Sequence, residues 1–136
     1  MLTTKLNILM IEDDPDDVDF YKTALDERGV SYTLDAFFHP EQALQHLTHT
    51  ATLPHLIVLD LNLPVSKGPD VLALLKANEK FRDVPVMVLT GSTQPEDREL
   101  SMRLGARSFH TKPVHYEDLQ AVADATLNTL SLNVAA

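Results

Sequence analysis

The sequence predicts an α/β domain in which a parallel five-stranded sheet carries helices on both faces. Five short apolar runs alternate with longer segments whose apolar residues recur at helical spacing. The runs show little alternation of apolar and polar residues, as expected of strands that are covered on both faces. Because a strand, a helix and a parallel strand connect as a right-handed crossover, repetition of this unit predicts a doubly wound sheet.

The chain has the length and composition of one domain with one hydrophobic core. It contains 136 residues, of which 44% are hydrophobic, and no cysteine. We expect a single domain over residues 1–136, with 131–136 as a short C-terminal tail that is too brief to form a second domain. The lack of cysteine excludes disulfides and thiolate metal sites, which suits the reducing cytoplasm.

Charge and hydropathy argue against two kinds of partner. The net charge is −9, so the domain repels DNA phosphates, and we expect no nucleic-acid partner. No apolar stretch is long enough to cross a bilayer, and no signal peptide is evident, so we expect neither a membrane partner nor secretion.

The first strand–helix unit carries clear boundary signals. Residues 8–11 form a continuous apolar run that predicts a buried strand. Asp14 is the expected N-cap of the next helix, Pro15 fits its first position, and Gly29 fits its C-terminal end. The helical spacing within this segment involves Val18, Tyr21, Ala24, Leu25 and Arg28.

The remaining four units follow the same pattern. Strands are predicted over 32–38, 56–61, 84–90 and 108–111. Helices are predicted from Pro40, from Asp70 as an N-cap, over 95–104 and over 115–130. Between the third strand and the third helix, Pro64, Gly68 and Pro69 predict irregular structure over 62–69.

Polar residues with related chemistry stand at or just beyond the ends of the predicted strands. They are Glu12, Asp13, Asp60, Asn62, Thr90 and Lys112. In a parallel sheet these strand ends share one edge, so the side chains converge on one crevice. Carboxylates bind hard cations, whereas a lysine and a hydroxyl bind phosphoryl oxygens, so the set predicts a Mg²⁺ and phosphate site.

Four motifs in chain order resemble the CheY-like receiver domain of two-component response regulators. They are the acidic pair, the aspartate in IVLDLNLP, the threonine in VMVLTGS and the Lys-Pro in FHTKPV. The motif DLNLP further resembles stand-alone, Rcp-type regulators that partner phytochrome-like histidine kinases. The resemblance implies a flavodoxin-like (βα)5 fold with strand order 2-1-3-4-5, a receiver domain without an output domain, and a phosphoryl group accepted from a histidine kinase.

The resemblance also implies roles for individual residues. Asp60 is the expected phosphoacceptor, and Mg²⁺ is expected on Asp13, Asp60 and the backbone carbonyl of Asn62, with Glu12 acting through water. Lys112 is expected to precede a cis peptide bond and to pair with Asp60 or Asp13.

Signalling by such a domain depends on a switch pair and an exposed face. Thr90 and Phe109 match the switch pair, and a homodimer is implied through the fourth helix, the fifth strand and the fifth helix. Leu132 and Val134, beyond the predicted core, are candidate partner contacts, although a frayed tail is an alternative. The downstream partner stays unknown.

Each candidate residue also has a purely structural interpretation. Asp60 could cap the following loop and Lys112 could be an ordinary surface lysine, although the complete set of motifs argues against both. We assign Asp14, Asp16 and Asp17 to negative charge at a helix N-terminus. Phe109 could be a permanently buried core residue, and here the two interpretations stay open.

Two other functions and one other metal site were weighed. Phosphatases of the haloacid-dehalogenase type also use an aspartyl nucleophile and Mg²⁺, but they carry Asp-x-Asp after the first strand, whereas Asn62 stands two residues after Asp60 on the third. A pseudo-receiver without phosphate is disfavoured by the intact acidic and lysine set. His46 and His49 lie one helical turn apart, but solvated histidines explain them better.

Overall fold

The computed structural model describes residues 5–63 and 67–130, which form one parallel five-stranded sheet in the order β2-β1-β3-β4-β5. The strands are β1 (Leu6–Ile11), β2 (Tyr32–Phe37), β3 (Leu56–Leu59), β4 (Val86–Thr90) and β5 (Ser108–Thr111). The helices are α1 (Pro15–Glu27), α2 (Pro40–His49), α3 (Gly68–Ala77), α4 (Pro95–Arg103) and α5 (Leu119–Thr129). The predicted fold class and strand order are confirmed.

The central strands send alternate side chains to two separate cores, one on each face of the sheet. The core beneath α2 and α3 includes Leu9, Ile11, Ile57, Leu59, Val86 and Val88. The core beneath α1 and α5 includes Ile8, Met10, Leu56, Val58, Met87 and Leu89. Because both faces are covered, every residue of β3 and β4 is buried, which explains why these strands are continuously apolar.

Helix α1 begins and ends where the sequence predicts. The Asp14 side chain accepts a hydrogen bond from the backbone N–H of Asp16 at 2.9 Å, and Pro15 is the first helical residue. At the other end Gly29 adopts a φ of 77°, which favours glycine.

Strands β3 and β4 are shorter than predicted. β3 ends at Leu59: Asp60 still donates its backbone N–H to Ile11 (3.1 Å), but its carboxylate accepts the backbone N–H of Asn62, which forms a turn after the strand. β4 begins at Val86, because Pro85 has no N–H to donate and joins the ladder only as an acceptor from Ile57, at 3.0 Å.

The predicted start of α3 is wrong. The helix begins at Gly68 with Lys67 as its N-cap residue, so Pro69 and Asp70 lie in the first turn and Asp70 is not the N-cap. Proline is tolerated in a first turn, where its missing N–H has no helical acceptor. Gly68 itself donates its N–H to the carbonyl of Leu61 at 3.1 Å. Residues 64–66 of the predicted loop lie outside the described residues.

The last helix also begins later than predicted. A 3₁₀ turn, Tyr116–Asp118, precedes α5, and the backbone N–H of Asp118 donates to His115 at 3.0 Å. The tail 131–136, with Leu132 and Val134, lies outside the described residues. Over the parts of the chain that the structure describes, no helix has the length and apolarity needed to span a membrane.

Candidate metal centre at the carboxyl edge of the sheet

Backbone hydrogen bonds bring the predicted site residues to one edge of the sheet. Glu12 follows β1 and donates its N–H to Phe37 at 3.0 Å, while Asp60 follows β3 and donates to Ile11 at 3.1 Å. Thr90 ends β4, and its carbonyl accepts the N–H of Lys112 at 2.7 Å. The crevice is therefore built from parts of the chain that are far apart in sequence.

Three carboxylates lie together in this crevice. Glu12, Asp13 and Asp60 each offer one oxygen, and these oxygens lie within 4.8 Å of one another. Glu12 is only 1% exposed and Asp60 only 5% exposed, whereas Asp13 reaches solvent. Mg²⁺ takes one or two carboxylates directly and keeps several waters, so the cluster would fit it with Asp13 and Asp60 as ligands and Glu12 acting through water. The part that the Asn62 carbonyl would play as a ligand stays a prediction.

The Lys112 ammonium balances this negative charge. Its Nζ lies 2.6 Å from Glu12 Oε1, 2.7 Å from Asp17 Oδ2 and 3.1 Å from Asp60 Oδ2. Burial acts to lower the pKa of Lys112, but hydrogen bonds to Asp17 and Glu12 and the charge of Asp60 outweigh it and raise the pKa. The lysine is therefore held as a cation in the crevice.

Burial has the opposite consequence for Glu12. Burial raises the pKa of the Glu12 carboxyl to about 7. The hydrogen bond from Lys112 acts to lower this pKa, whereas the nearby charge of Asp60 acts to raise it further. A cation bound beside Glu12 would favour the carboxylate form of this residue.

Asp60 and Thr90 are oriented by the loops that follow their strands. The backbone N–H of Asn62 donates to Asp60 Oδ1 at 3.1 Å. The hydroxyl of Thr90, which is fully buried, lies 3.4 Å from Asn62 Nδ2 and 3.4 Å from the backbone N of Ser92. The Ser92 hydroxyl in turn bonds the Asp97 carboxylate at the start of α4. The Thr90 hydroxyl thus lies beside the turn that carries Asp60.

Phe109 lies inside the domain in this structure. Its side chain is 6% exposed and belongs to the core beneath α2 and α3. The guanidinium of Arg98 on α4 lies 5.9 Å from the ring centroid, and Arg98 Nη1 donates to the Phe109 carbonyl at 3.2 Å. Both interpretations of Phe109, a switch residue or a permanent core residue, are compatible with this inward position.

One expectation about Lys112 is wrong and another is confirmed. The Lys112–Pro113 bond is trans, since no cis peptide bond occurs within 5–63 and 67–130. Trans is the favoured isomer of such bonds, and the lysine reaches the crevice with it. The expected pairing of the ammonium with Asp60 or Asp13 is confirmed at Asp60, and contacts with Glu12 and Asp17 accompany it.

Asp17 is the site residue that sequence reasoning missed. It was predicted only as negative charge at a helix N-terminus, yet it forms an ion pair with Lys112. Its spacing from Asp13 gives no signal, because Asp13 precedes the N-cap Asp14 and so does not share a helix face with Asp17.

The histidine pair on α2 has structural contacts instead of a metal-binding arrangement. The rings of His46 and Phe37 pack with centroids 5.3 Å apart, and His49 Nδ1 lies 2.9 Å from the Gln45 carbonyl. Within the described residues, the acidic group in the crevice is the only set of three or more His, Asp or Glu side chains whose ligand atoms lie close enough to hold a metal ion.

Comparisons with known proteins agree with this geometry. The family model of the response regulator receiver domain matches residues 8–124. Response regulator Rcp1 of Synechocystis sp. is 38% identical over 86 residues, which cover 60% of this chain and 58% of Rcp1.

Solved structures show the same likeness over nearly the whole chain. The phosphorylated cyanobacterial phytochrome response regulator RcpA has a TM-score of 0.84 at 28% identity, over 94% of this chain and 96% of RcpA. The Mn²⁺-bound form of response regulator Rcp1 has a TM-score of 0.82 at 28% identity, over 96% of this chain and 99% of Rcp1. With the family match, the strand order and the acidic crevice together, the chain belongs to the response regulator receiver domain family.

Proposed function

We propose that this protein is a response regulator that accepts a phosphoryl group from a histidine kinase onto Asp60, in a reaction that depends on Mg²⁺. The observation that carries the proposal is the position of Asp60. Its carboxylate belongs to the acidic cluster and lies 3.1 Å from the Lys112 ammonium. A carboxylate between a divalent cation site and a fixed cation is suited to attack phosphorus, since positioning and charge neutralisation dominate phosphoryl transfer.

In the proposed reaction, an oxygen of Asp60 forms a bond to the phosphorus of a phosphohistidine as the P–N bond breaks. The electron pair of that bond leaves with the imidazole nitrogen, and an acyl phosphate remains on Asp60. The N–H of Asn62 holds Oδ1 of the carboxylate, Lys112 neutralises a phosphoryl oxygen, and the Thr90 hydroxyl can donate to another. When bound, Mg²⁺ supplies charge neutralisation at the carboxylates and the phosphoryl oxygens.

In this proposal the protein is a signalling phosphoacceptor rather than an enzyme. It catalyses only its own phosphorylation and the hydrolysis of its own acyl phosphate. The phosphatase alternative is not supported, because Asp60 follows β3 and Asn62 occupies the position where those enzymes carry their second aspartate.

A phytochrome-like histidine kinase is the proposed donor, acting in the cytoplasm. The support is the likeness to RcpA and Rcp1, whose structures this chain spans nearly completely. Val114, two residues after Lys112 in the loop that follows β5, is 93% exposed beside the crevice.

The phosphorylated form is proposed to signal as a homodimer through α4, β5 and α5. Phe109 lies on β5 and is contacted by Arg98 of α4, and Met102 on α4 is 41% exposed. Sedimentation at micromolar protein, with and without a phosphoryl mimic, tests this assembly. A monomer under both conditions would refute it.

Incubation with acetyl phosphate and Mg²⁺, followed by intact mass, tests the phosphoacceptor proposal. The wild type should gain the mass of one phosphoryl group and Asp60→Asn should not, because the amide keeps the shape but loses the nucleophilic charge. Asp35→Asn, which alters an exposed carboxylate on the edge strand β2, is the matched control and should label normally. Labelling of Asp60→Asn at the wild-type level would exclude Asp60 as the acceptor.

A further inference from the structure

The Lys112 ammonium has three carboxylate partners, and they differ in what the proposed reaction requires of them. Glu12 and Asp60 belong to the cluster of oxygens that can hold a divalent cation. Asp60 must also give one of its oxygens to the phosphoryl group. Asp17 belongs to neither set, although its oxygen lies only 2.7 Å from Lys112 Nζ.

The Asp17 carboxylate is held in place by the start of α1. Asp17 is the third residue of this helix, and its backbone N–H donates to the Asp14 carbonyl at 3.1 Å. The neighbouring Val18 is buried, as is Tyr21 one turn later, so the first turn of the helix is anchored to the core. The Asp17 side chain is 36% exposed, and it therefore reaches the ammonium from the solvent side of the crevice.

The ammonium has three N–H donors, and in this structure each has a carboxylate within reach. In the proposed reaction, a phosphoryl oxygen would replace the Asp60 contact, and a cation held by the acidic cluster would compete for Glu12. The contact with Asp17 is the one that neither event removes. Without it, the long lysine side chain would have few restraints at the moment when its charge is needed.

We propose that Asp17 is a positioning residue for phosphoryl transfer, which keeps the Lys112 ammonium directed into the crevice while Glu12 and Asp60 change partners. The inference rests on the proposed function, because it assigns Asp17 a part in the phosphorylation of Asp60. Asp17 acts through Lys112 and does not touch the phosphoryl group itself.

Asp17→Asn keeps the size of the side chain and removes its charge. At saturating Mg²⁺ the rate of Asp60 labelling by acetyl phosphate should fall about fivefold, since a charge-assisted hydrogen bond to a partly exposed group contributes less than a buried one. Asp17→Glu, which can reach the ammonium with the same charge, should restore much of the rate.

Asp16→Asn is the matched control. Asp16 is the preceding residue in the same helical turn, so its replacement changes the net charge and the repulsion of an anionic donor in the same way. Its labelling rate should equal or slightly exceed that of the wild type. Thermal melting of both variants verifies that the fold is intact.

Two further measurements separate positioning from a general effect on charge or structure. In a Lys112→Ala background, Asp17→Asn should cause no additional loss of rate, because its partner is already absent. Without metal or acetyl phosphate, reductive methylation followed by peptide mapping should modify Lys112 faster in Asp17→Asn than in Asp16→Asn, with exposed Lys5 as the internal reference.

The outcomes distinguish this inference from the proposed function. If the wild type is not labelled at Asp60, the proposed function fails and the inference fails with it. If the wild type is labelled but Asp17→Asn matches Asp16→Asn in labelling rate and in Lys112 methylation, only the inference is overturned. An equal loss of rate in the Lys112→Ala background would also overturn it, since Asp17 would then act independently of the lysine.

Discussion

Replacement of Gly68 by alanine should test how the start of α3 supports the turn that carries Asp60. A Cβ atom built on Gly68 would lie 2.3 Å from the Leu61 Cα and 2.8 Å from the Leu61 carbonyl oxygen. Both are backbone atoms, so no change of side-chain rotamer relieves the overlap. Leu61 directly follows Asp60, and its displacement would move the carboxylate.

The expected cost follows from the rigidity of both partners. Forcing extra volume into a packed site costs about 1–3 kcal/mol, and a clash between two backbones falls at the upper end of this range. For a domain of this size, a loss of about 3 kcal/mol lowers the melting temperature by roughly 10 °C. The displaced carboxylate should also bind Mg²⁺ more weakly than in the wild type.

Gly91→Ala is the control for this experiment. Gly91 follows β4 at the same edge of the sheet, but a Cβ atom there would have no neighbour within 4 Å. The free energy of unfolding from urea titration should be nearly unchanged in Gly91→Ala. If Gly68→Ala unfolds within about 0.5 kcal/mol of this control, and binds Mg²⁺ equally well, the reasoning about the Leu61 contact is refuted.

Three further predictions concern the metal, the phosphoryl lifetime and pH. Asp13→Ala should weaken Mg²⁺ binding substantially in a titration and Glu12→Ala more mildly, because Mg²⁺ has few protein ligands to spare; equal affinity of Asp13→Ala and wild type would contradict the assigned cluster. Exchange of Asn62, whose N–H holds Asp60, should change the half-life of the acyl phosphate more than exchange of His46 on α2; identical half-lives would remove Asn62 from the mechanism. Burial lowers the pKa of His110 below its ordinary value, and the charge of Arg98 adds to this effect. The unfolded state therefore binds a proton more readily than the folded state, so stability is lost as the pH falls through about 6.5. His110→Gln should flatten this loss in urea titrations between about pH 7.5 and about pH 5.5. The raised pKa of Glu12 makes stability change with pH in the opposite direction, so the test compares the free energy of unfolding of the wild type with that of His110→Gln at each pH. If the two plots of this free energy against pH run parallel, the prediction is refuted.

The sequence alone predicted the elements and their class, because these depend on local patterns. Continuous apolar runs indicated strands covered on both faces, and the Asp14-Pro15 pair marked the start of α1 correctly. The strand order came from the family resemblance, since periodicity does not say which strands are neighbours. Helix boundaries were harder to predict where a single tertiary contact is involved. Pro64, Gly68 and Pro69 indicated a loop up to residue 69, yet α3 begins at Gly68, which lies close to the backbone of Leu61.

The sequence also indicated which residues would meet in the crevice, because strand order along a parallel sheet brings successive strand ends to one edge. Glu12, Asp13 and Asp60 do lie together there. Lys112 contacts Asp60, as expected, but its contacts with Glu12 and Asp17 were decided by the tertiary structure alone. Its contact with Asp17 joins residues 95 positions apart, and such an encounter depends on how α1 and the loop after β5 pack, which no local pattern encodes.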